Sequence, residues 1–192
     1  NAEGRVSVGM RLVGAQQIPN ALAAAAVATA LGISNDHIAT ALSTAELKSK
    51  WRMELNELPG LLIINDAYNA APESMEAALF SLRLFAQERG GSAWAFLGKM
   101  HELGESSHQA HEKIGTLAQD LAIDHLISIN TEEYGKGAMY FKDWQSSLSL
   151  LNEVSPGDVI LVKASRAEGL EKLAEALIAE WNKKIKRDEE MK

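Results

Sequence analysis

The run Asn65-Asp66-Ala67-Tyr68-Asn69-Ala70-Ala71-Pro72-Glu73-Ser74-Met75 gathers groups that suit a nucleotide. An aspartate at the carboxyl end of a strand accepts hydrogen bonds from a ribose diol. Asn69 both donates and accepts. A helix that begins around Pro72 to Ser74 turns free backbone N–H groups toward an anion. The same composition also makes an ordinary turn and helix cap, because Asn and Asp are favoured there. A second run, Leu161-Val162-Lys163-Ala164-Ser165-Arg166, puts a lysine and an arginine at a strand end beside a serine at a helix start. That combination makes a corner for a carboxylate, and its alternative is a pair of solvated charges with a serine cap.

These runs are positioned by an alternation of elements. Leu61 to Asn65, Ala93 to Leu97, His125 to Ile129 and Asp158 to Lys163 read as short apolar strands. Pro72 to Gln87, Ser107 to Ala122, Trp144 to Leu151 and Leu170 to Trp181 read as helices, the last followed by a charged tail expected to fray. Strands that alternate with helices predict an α/β fold, a mostly parallel sheet covered on both faces. Such a sheet binds ligands beyond the carboxyl ends of its strands. The loops to watch are therefore 66–71, 98–105, 130–137 and 164–169. Ahead of them the pattern differs. Residues 5–13 read as a strand and 14–19 as a loop. Ala21 to Leu31 reads as an alanine-rich, buried helix with Asn20 near its N-cap, and a second helix begins at Ser34.

Composition narrows the partners. A net charge of −7 argues against a general grip on nucleic acid or an anionic membrane. Without cysteine there is neither a disulfide frame nor a thiolate metal site. No apolar stretch is long enough to span a membrane, and residues 1–5 do not begin a signal peptide. The first residue is not methionine, which suggests a cut end. His101, His108 and His111 are spaced too loosely to define a zinc ligand set, so no metal is assigned to them.

Several runs together resemble the Mur peptide ligase family. Asp66 to Met75 is similar to Asp-x-Tyr-Asn-Ala-Asn-Pro-x-Ser-Met of its D-alanyl-D-alanine-adding type, with Ala71 in place of Asn. Gly98 to His111 resembles Gly-Asp-Met-x-Glu-Leu-Gly-x-x-Ser-x-x-x-His, with Lys99 in place of Asp. Leu161 to Glu171 resembles Leu-Val-Lys-Gly-Ser-Arg-x-x-x-Met/Leu-Glu, with Ala164 in place of Gly. Gly14 to Ala25 is similar to Gly-x-His-Asn-x-x-Asn-Ala-Leu-Ala-Ala-Ala, with Gln16 and Gln17 in place of His and Asn.

The resemblance implies a Rossmann-like carboxyl-terminal domain at residues 58–192, preceded at 1–57 by a helical remnant of a central ATPase domain. It implies Asp66, Asn69, Asn20, Gln17 and Arg52 as ATP-binding residues. It implies Lys163, Ser165, Arg166 and Glu102 as substrate-binding residues. The implied parent is a cytoplasmic monomer. It uses ATP and Mg2+ to join D-alanyl-D-alanine to UDP-N-acetylmuramoyl-tripeptide through an acyl phosphate. Two other readings stand beside it: another ligase of the Mur and folylpolyglutamate type, and a non-catalytic domain that binds a small molecule or a partner.

The pattern Gly-x-x-x-x-Gly-Lys-Ser/Thr occurs nowhere in the 192 residues. Without that phosphate cradle the chain by itself is expected to hydrolyse no ATP and to form no amide bond. A phosphate-release assay with acceptor and dipeptide present checks this. Turnover that survives repurification would contradict it.

Overall fold

A computed structural model describes residues 4–11, 14, 17–46 and 49–190 of the chain. Contacts divide it into two compact units, Asn1–Ser49 and Lys50–Lys192. Among the described residues no helix is long and apolar enough to cross a membrane.

In the first unit, helix α1 spans Gln17–Ala30 and helix α2 spans Asn35–Thr44. The strand expected over 5–13 is not formed at residues 5–11, and residues 12 and 13 lie outside the described set. Alternation alone makes no strand, because a strand needs a neighbour for its N–H and C=O groups. Helix α1 begins earlier than expected, at Gln17. Pro19 therefore sits in its first turn, where a missing N–H costs nothing, and Asn20 lies inside the helix rather than at its cap. None of its residues is buried, contrary to expectation, and Leu22, Val27 and Leu31 are exposed. Ser34 takes the extended cap conformation ahead of α2, which buries Ile38 and Ala39.

The second unit is built on a six-stranded sheet. Its elements in chain order are β1 Glu54–Leu58, β2 Leu61–Asp66, α3 Pro72–Arg89, β3 Ala93–Leu97, α4 Ser107–Asp120, β4 His125–Ile129, β5 Met139–Phe141, α5 Trp144–Ser147, β6 Val159–Lys163 and α6 Glu171–Glu190. The strand order is β1-β2-β6-β3-β4-β5, parallel except for β1, which forms an antiparallel hairpin with β2. That hairpin draws residues 54–57 into the sheet. The division between units therefore falls after Ser49, ahead of the expected 57/58 boundary.

Every residue of β2, β3 and β6 is buried, as expected of parallel strands covered on both faces. The period-two rule divides them. Leu61, Ile63, Trp94, Phe96, Ile127, Ile129, Ile160 and Val162 face a cluster with Leu173, Leu177 and Trp181 of α6. Helix α3 packs against β3, β6 and α4, burying Met75, Leu79 and Leu82. The tail expected to fray is instead helical through Glu190, since Ile185 continues the stripe begun by Leu177 and Trp181. Ser74 caps α3 through its hydroxyl, 3.0 Å from the Ala71 nitrogen and 2.9 Å from its carbonyl oxygen.

Gly115 of α4 is a close-approach residue, because a Cβ there would sit 1.9 Å from the Tyr134 carbonyl oxygen. Replacing Gly115 by Ala is expected to cost about 1–3 kcal/mol, the range for overpacking. Urea unfolding of this variant against Lys113→Ala measures it, and equal stabilities would show that the loop yields freely.

Candidate functional site

Strands β2, β6 and β3 are adjacent and parallel, so their carboxyl ends bring together residues distant in sequence. Asp66 and Lys163 are register partners at the ends of β2 and β6. The Lys163 ammonium donates to Asp66 Oδ2 at 2.6 Å and to the Asn69 carbonyl at 2.8 Å. The other carboxylate oxygen, Oδ1, accepts the Met53 N–H at 2.9 Å. Lys163 is 2% exposed and Asp66 8%. Burial pushes the ammonium below the ordinary lysine range, against the pull of the Asp66 carboxylate. Lys163 is thus not the free cation that the sequence suggested for a substrate carboxylate. It is committed to Asp66 and to the loop after β2.

Ser165 is committed as well. Its hydroxyl accepts the His101 N–H at 2.9 Å and donates to the Ala70 carbonyl at 3.4 Å. The ladder between β3 and β6 runs past the strand ends, with the Gly98 N–H on the Lys163 carbonyl and the Ser165 N–H on that of Lys99. Gly98 permits this approach, because a Cβ there would lie 2.8 Å from that of Ala164. Behind the loop, Tyr134 donates to the Gly98 carbonyl at 2.7 Å, its phenol held neutral by burial and by the nearby charges of Glu133 and Glu168. His111 is fully buried. Its Nε2 accepts the Met100 N–H, so Nδ1 carries the proton, 2.7 Å from the Ser107 carbonyl. Nε2 thus ties the 98–105 loop to α4, and Nδ1 is spent on the first turn of α4 itself. Among the described residues no group of three or more His, Asp or Glu could hold a metal ion.

Two arginines lie over this base. The Arg52 guanidinium stands 4.1 Å above the Tyr68 ring, and that of Arg166 stands 3.9 Å above the Trp51 ring. Arg166 Nη1 is also 3.6 Å from Glu171 Oε2, with the arginine side chain half exposed. Asn69 and Glu102 present exposed side chains on the loops after β2 and β3. Gln17 and Asn20 belong to the first unit, where the Asn20 side-chain amide donates to Gln17 Oε1 at 3.3 Å. Trp51, Met53, Glu102 and Asn130 all take left-handed backbone conformations. Each such non-glycine residue costs on the order of 1 kcal/mol, and clusters of them mark functional loops.

Sequence reasoning assigned no role to Trp51, Tyr68, His101, Asn130 or Glu168. Glu168 joins three loops, with one oxygen 2.5 Å from His101 Nε2 and the other 3.4 Å from Asn130 Nδ2. Its place in the 164–169 loop was the available signal.

Chemically, the edge offers a half-exposed fork at Arg166, a second, exposed one at Arg52, and an aspartate with spare lone pairs. Lys163→Met would leave the Asp66 carboxylate buried and unpaired, which is expected to cost about 3–5 kcal/mol, and Asp66→Leu in the same chain should recover much of it. Chemical denaturation of both variants checks this, and a cost under about 1 kcal/mol would mean that the pair is well solvated. The folded state holds the Lys163 proton less firmly than the unfolded chain. Its contribution is therefore complete above the ordinary lysine range and lost as the pH falls through the lowered value. The stability of the wild type relative to Lys163→Met should rise with pH through that window.

The family model described as Mur ligase, glutamate ligase domain, matches residues 51–166. The UDP-N-acetylmuramoyl-tripeptide–D-alanyl-D-alanine ligase of Mycobacterium tuberculosis (strain CDC 1551 / Oshkosh) is 37% identical over 93% of this chain and 41% of its own length. MurF from Acinetobacter baumannii superposes with a TM-score of 0.82 at 29% identity, over 92% of this chain and 40% of that one. MurF ligase from Thermotoga maritima in complex with ADP gives 0.78 at 29%, over 90% and 40%. The chain thus spans about two fifths of the length of these relatives. With the matched region running from Trp51 at the head of the sheet to Arg166 beyond its last strand, the chain belongs to the Mur ligase family.

Proposed function

We propose that this chain is the carboxyl-terminal part of an ATP-dependent amide ligase. The parent adds D-alanyl-D-alanine to UDP-N-acetylmuramoyl-tripeptide through an acyl phosphate, in peptidoglycan precursor synthesis. The observation that carries the reading is the 37% identity, over 93% of the chain, to a relative of that name. The parent is read as a cytoplasmic monomer.

Each residue's part follows from where it stands. Asp66 has two oxygens, each already accepting one hydrogen bond and each with a lone pair to spare for a ribose hydroxyl. Lys163 supports that role by holding the carboxylate in place. Exposed Asn69 and Arg52 flank it, and the planar Arg52 fork suits phosphate oxygens. The Thermotoga maritima relative in complex with ADP supports a nucleotide. Gln17 and Asn20 are assigned to the adenine. Mg2+ would screen the phosphates and polarise them for transfer; its ligands are assigned to the parent's central domain.

The dipeptide carboxylate is assigned to Arg166, with Glu102 beside the second substrate. Ser165 contributes by holding the 98–105 and 164–169 loops together. The chain makes no bond itself. It holds the dipeptide by its carboxylate so that the amine points to the acyl phosphate. Positioning of this kind converts a bimolecular attack into an effectively unimolecular one.

Steady-state kinetics of the full-length parent, varying each substrate separately, test the reading. Phosphate release should require both the tripeptide acceptor and D-alanyl-D-alanine. Arg166→Ala removes a charge-assisted hydrogen bond, so the dipeptide KM should rise roughly ten- to a hundredfold. The KM for ATP should change less than about twofold, as for a surface substitution. Release that ignores the dipeptide, or an Arg166 effect confined to ATP, would overturn the assignment.

A further inference from the structure

Arg166 is held in a particular way. Its guanidinium carbon lies over the Trp51 indole, 3.9 Å from the ring centroid. Its Nη1 is 3.6 Å from Glu171 Oε2, a buried oxygen with no hydrogen bond. A carboxylate binds a guanidinium in plane, along the N–H edges. Stacking occupies a face and leaves those edges open.

The backbone of Trp51 does not depend on Arg166 for its place. Its N–H donates to Glu54 Oε2 at 3.1 Å, and its carbonyl accepts the Tyr68 N–H at 3.0 Å. Two residues on, the Met53 N–H is bound to Asp66. Trp51 and Met53 both take left-handed backbone conformations in this segment. Without an aromatic face, the nearest partner left to Arg166 is the Glu171 carboxylate. Closing the 3.6 Å gap to it would consume the N–H edge that an incoming ligand needs.

We propose that Trp51 is a positioning residue for Arg166. Its indole face holds the guanidinium 3.6 Å from Glu171, short of a hydrogen bond, and leaves an N–H edge for the carboxylate of the incoming amine substrate. The inference rests on the assignment of Arg166 to that carboxylate. It adds a dependence of dipeptide recognition on a residue 115 positions earlier in the chain, two residues past the division between the units.

The test uses the full-length parent with Trp51→Phe, which keeps an aromatic face, and Trp51→Leu, which keeps apolar bulk without one. Trp51→Leu should raise the dipeptide KM about tenfold and Trp51→Phe less than about threefold, the scale of a partly desolvated cation–π contact. The kcat at saturating dipeptide and the KM for ATP should stay within about twofold of wild type in both, as for substitutions remote from those steps. In an Arg166→Ala background, Trp51→Leu should add nothing, because the interaction it removes is already gone. Equal effects of Phe and Leu would overturn the proposal. So would an effect on kcat or on ATP alone, or one that persists without Arg166. A wild-type parent that ligates no dipeptide would remove the functional reading itself, and the inference with it.

Discussion

The ion pair between Asp66 and Lys163 is the constraint on which the rest of the edge depends. The two residues face each other across parallel strands β2 and β6, almost out of contact with water. A buried ion pair adds little to stability compared with an apolar pair, but losing either partner is costly. Its value is therefore geometric. The ammonium also grips the Asn69 carbonyl, and the carboxylate also grips the Met53 N–H. Four segments are thereby fixed at one point: the segment leading into β1, the ends of β2 and β6, and the loop after β2.

From that point outward the edge becomes progressively open. Ser165 and His101 tie the next pair of loops, and Glu168 bridges His101 to Asn130. The same edge carries Arg52 and Arg166, each over an aromatic ring. Rings hold cations by their faces without consuming their donors, which suits groups that must receive ligands. The chain carries a net charge of −7, and its strand-end edge sets the Arg52 and Arg166 forks among the carboxylates of Asp66, Glu168 and Glu171.

Much of this was legible in the sequence, and the reasons are local. Ala93–Leu97 and His125–Ile129 are apolar runs bounded by turn residues, and both strands form at the expected ends. Strand β1 was not legible. Glu-Leu-Asn-Glu-Leu is mostly polar and becomes a strand only because β2 pairs with it at the sheet edge. The inward turn of Lys163 was equally hidden, since its partner lies 97 residues away and strand order is a tertiary fact. Asn20 had the composition of a helix cap, but a proline that fits a first turn let α1 start before it. The strand-end loops were found by the parallel-sheet rule. Which of their side chains are spent on structure and which stay free required coordinates.

The central claim is that one strand-end edge, braced by Asp66 and Lys163, receives both a nucleotide and the carboxylate of an amine substrate. Diffraction from crystals of the full-length parent grown with a non-hydrolysable ATP analogue and D-alanyl-D-alanine tests it most directly. The account predicts the ribose hydroxyls on Asp66, with its bond to Lys163 intact, and the dipeptide carboxylate in the plane of the Arg166 guanidinium. A dipeptide carboxylate bound to other residues, with Arg166 turned to solvent, would contradict it.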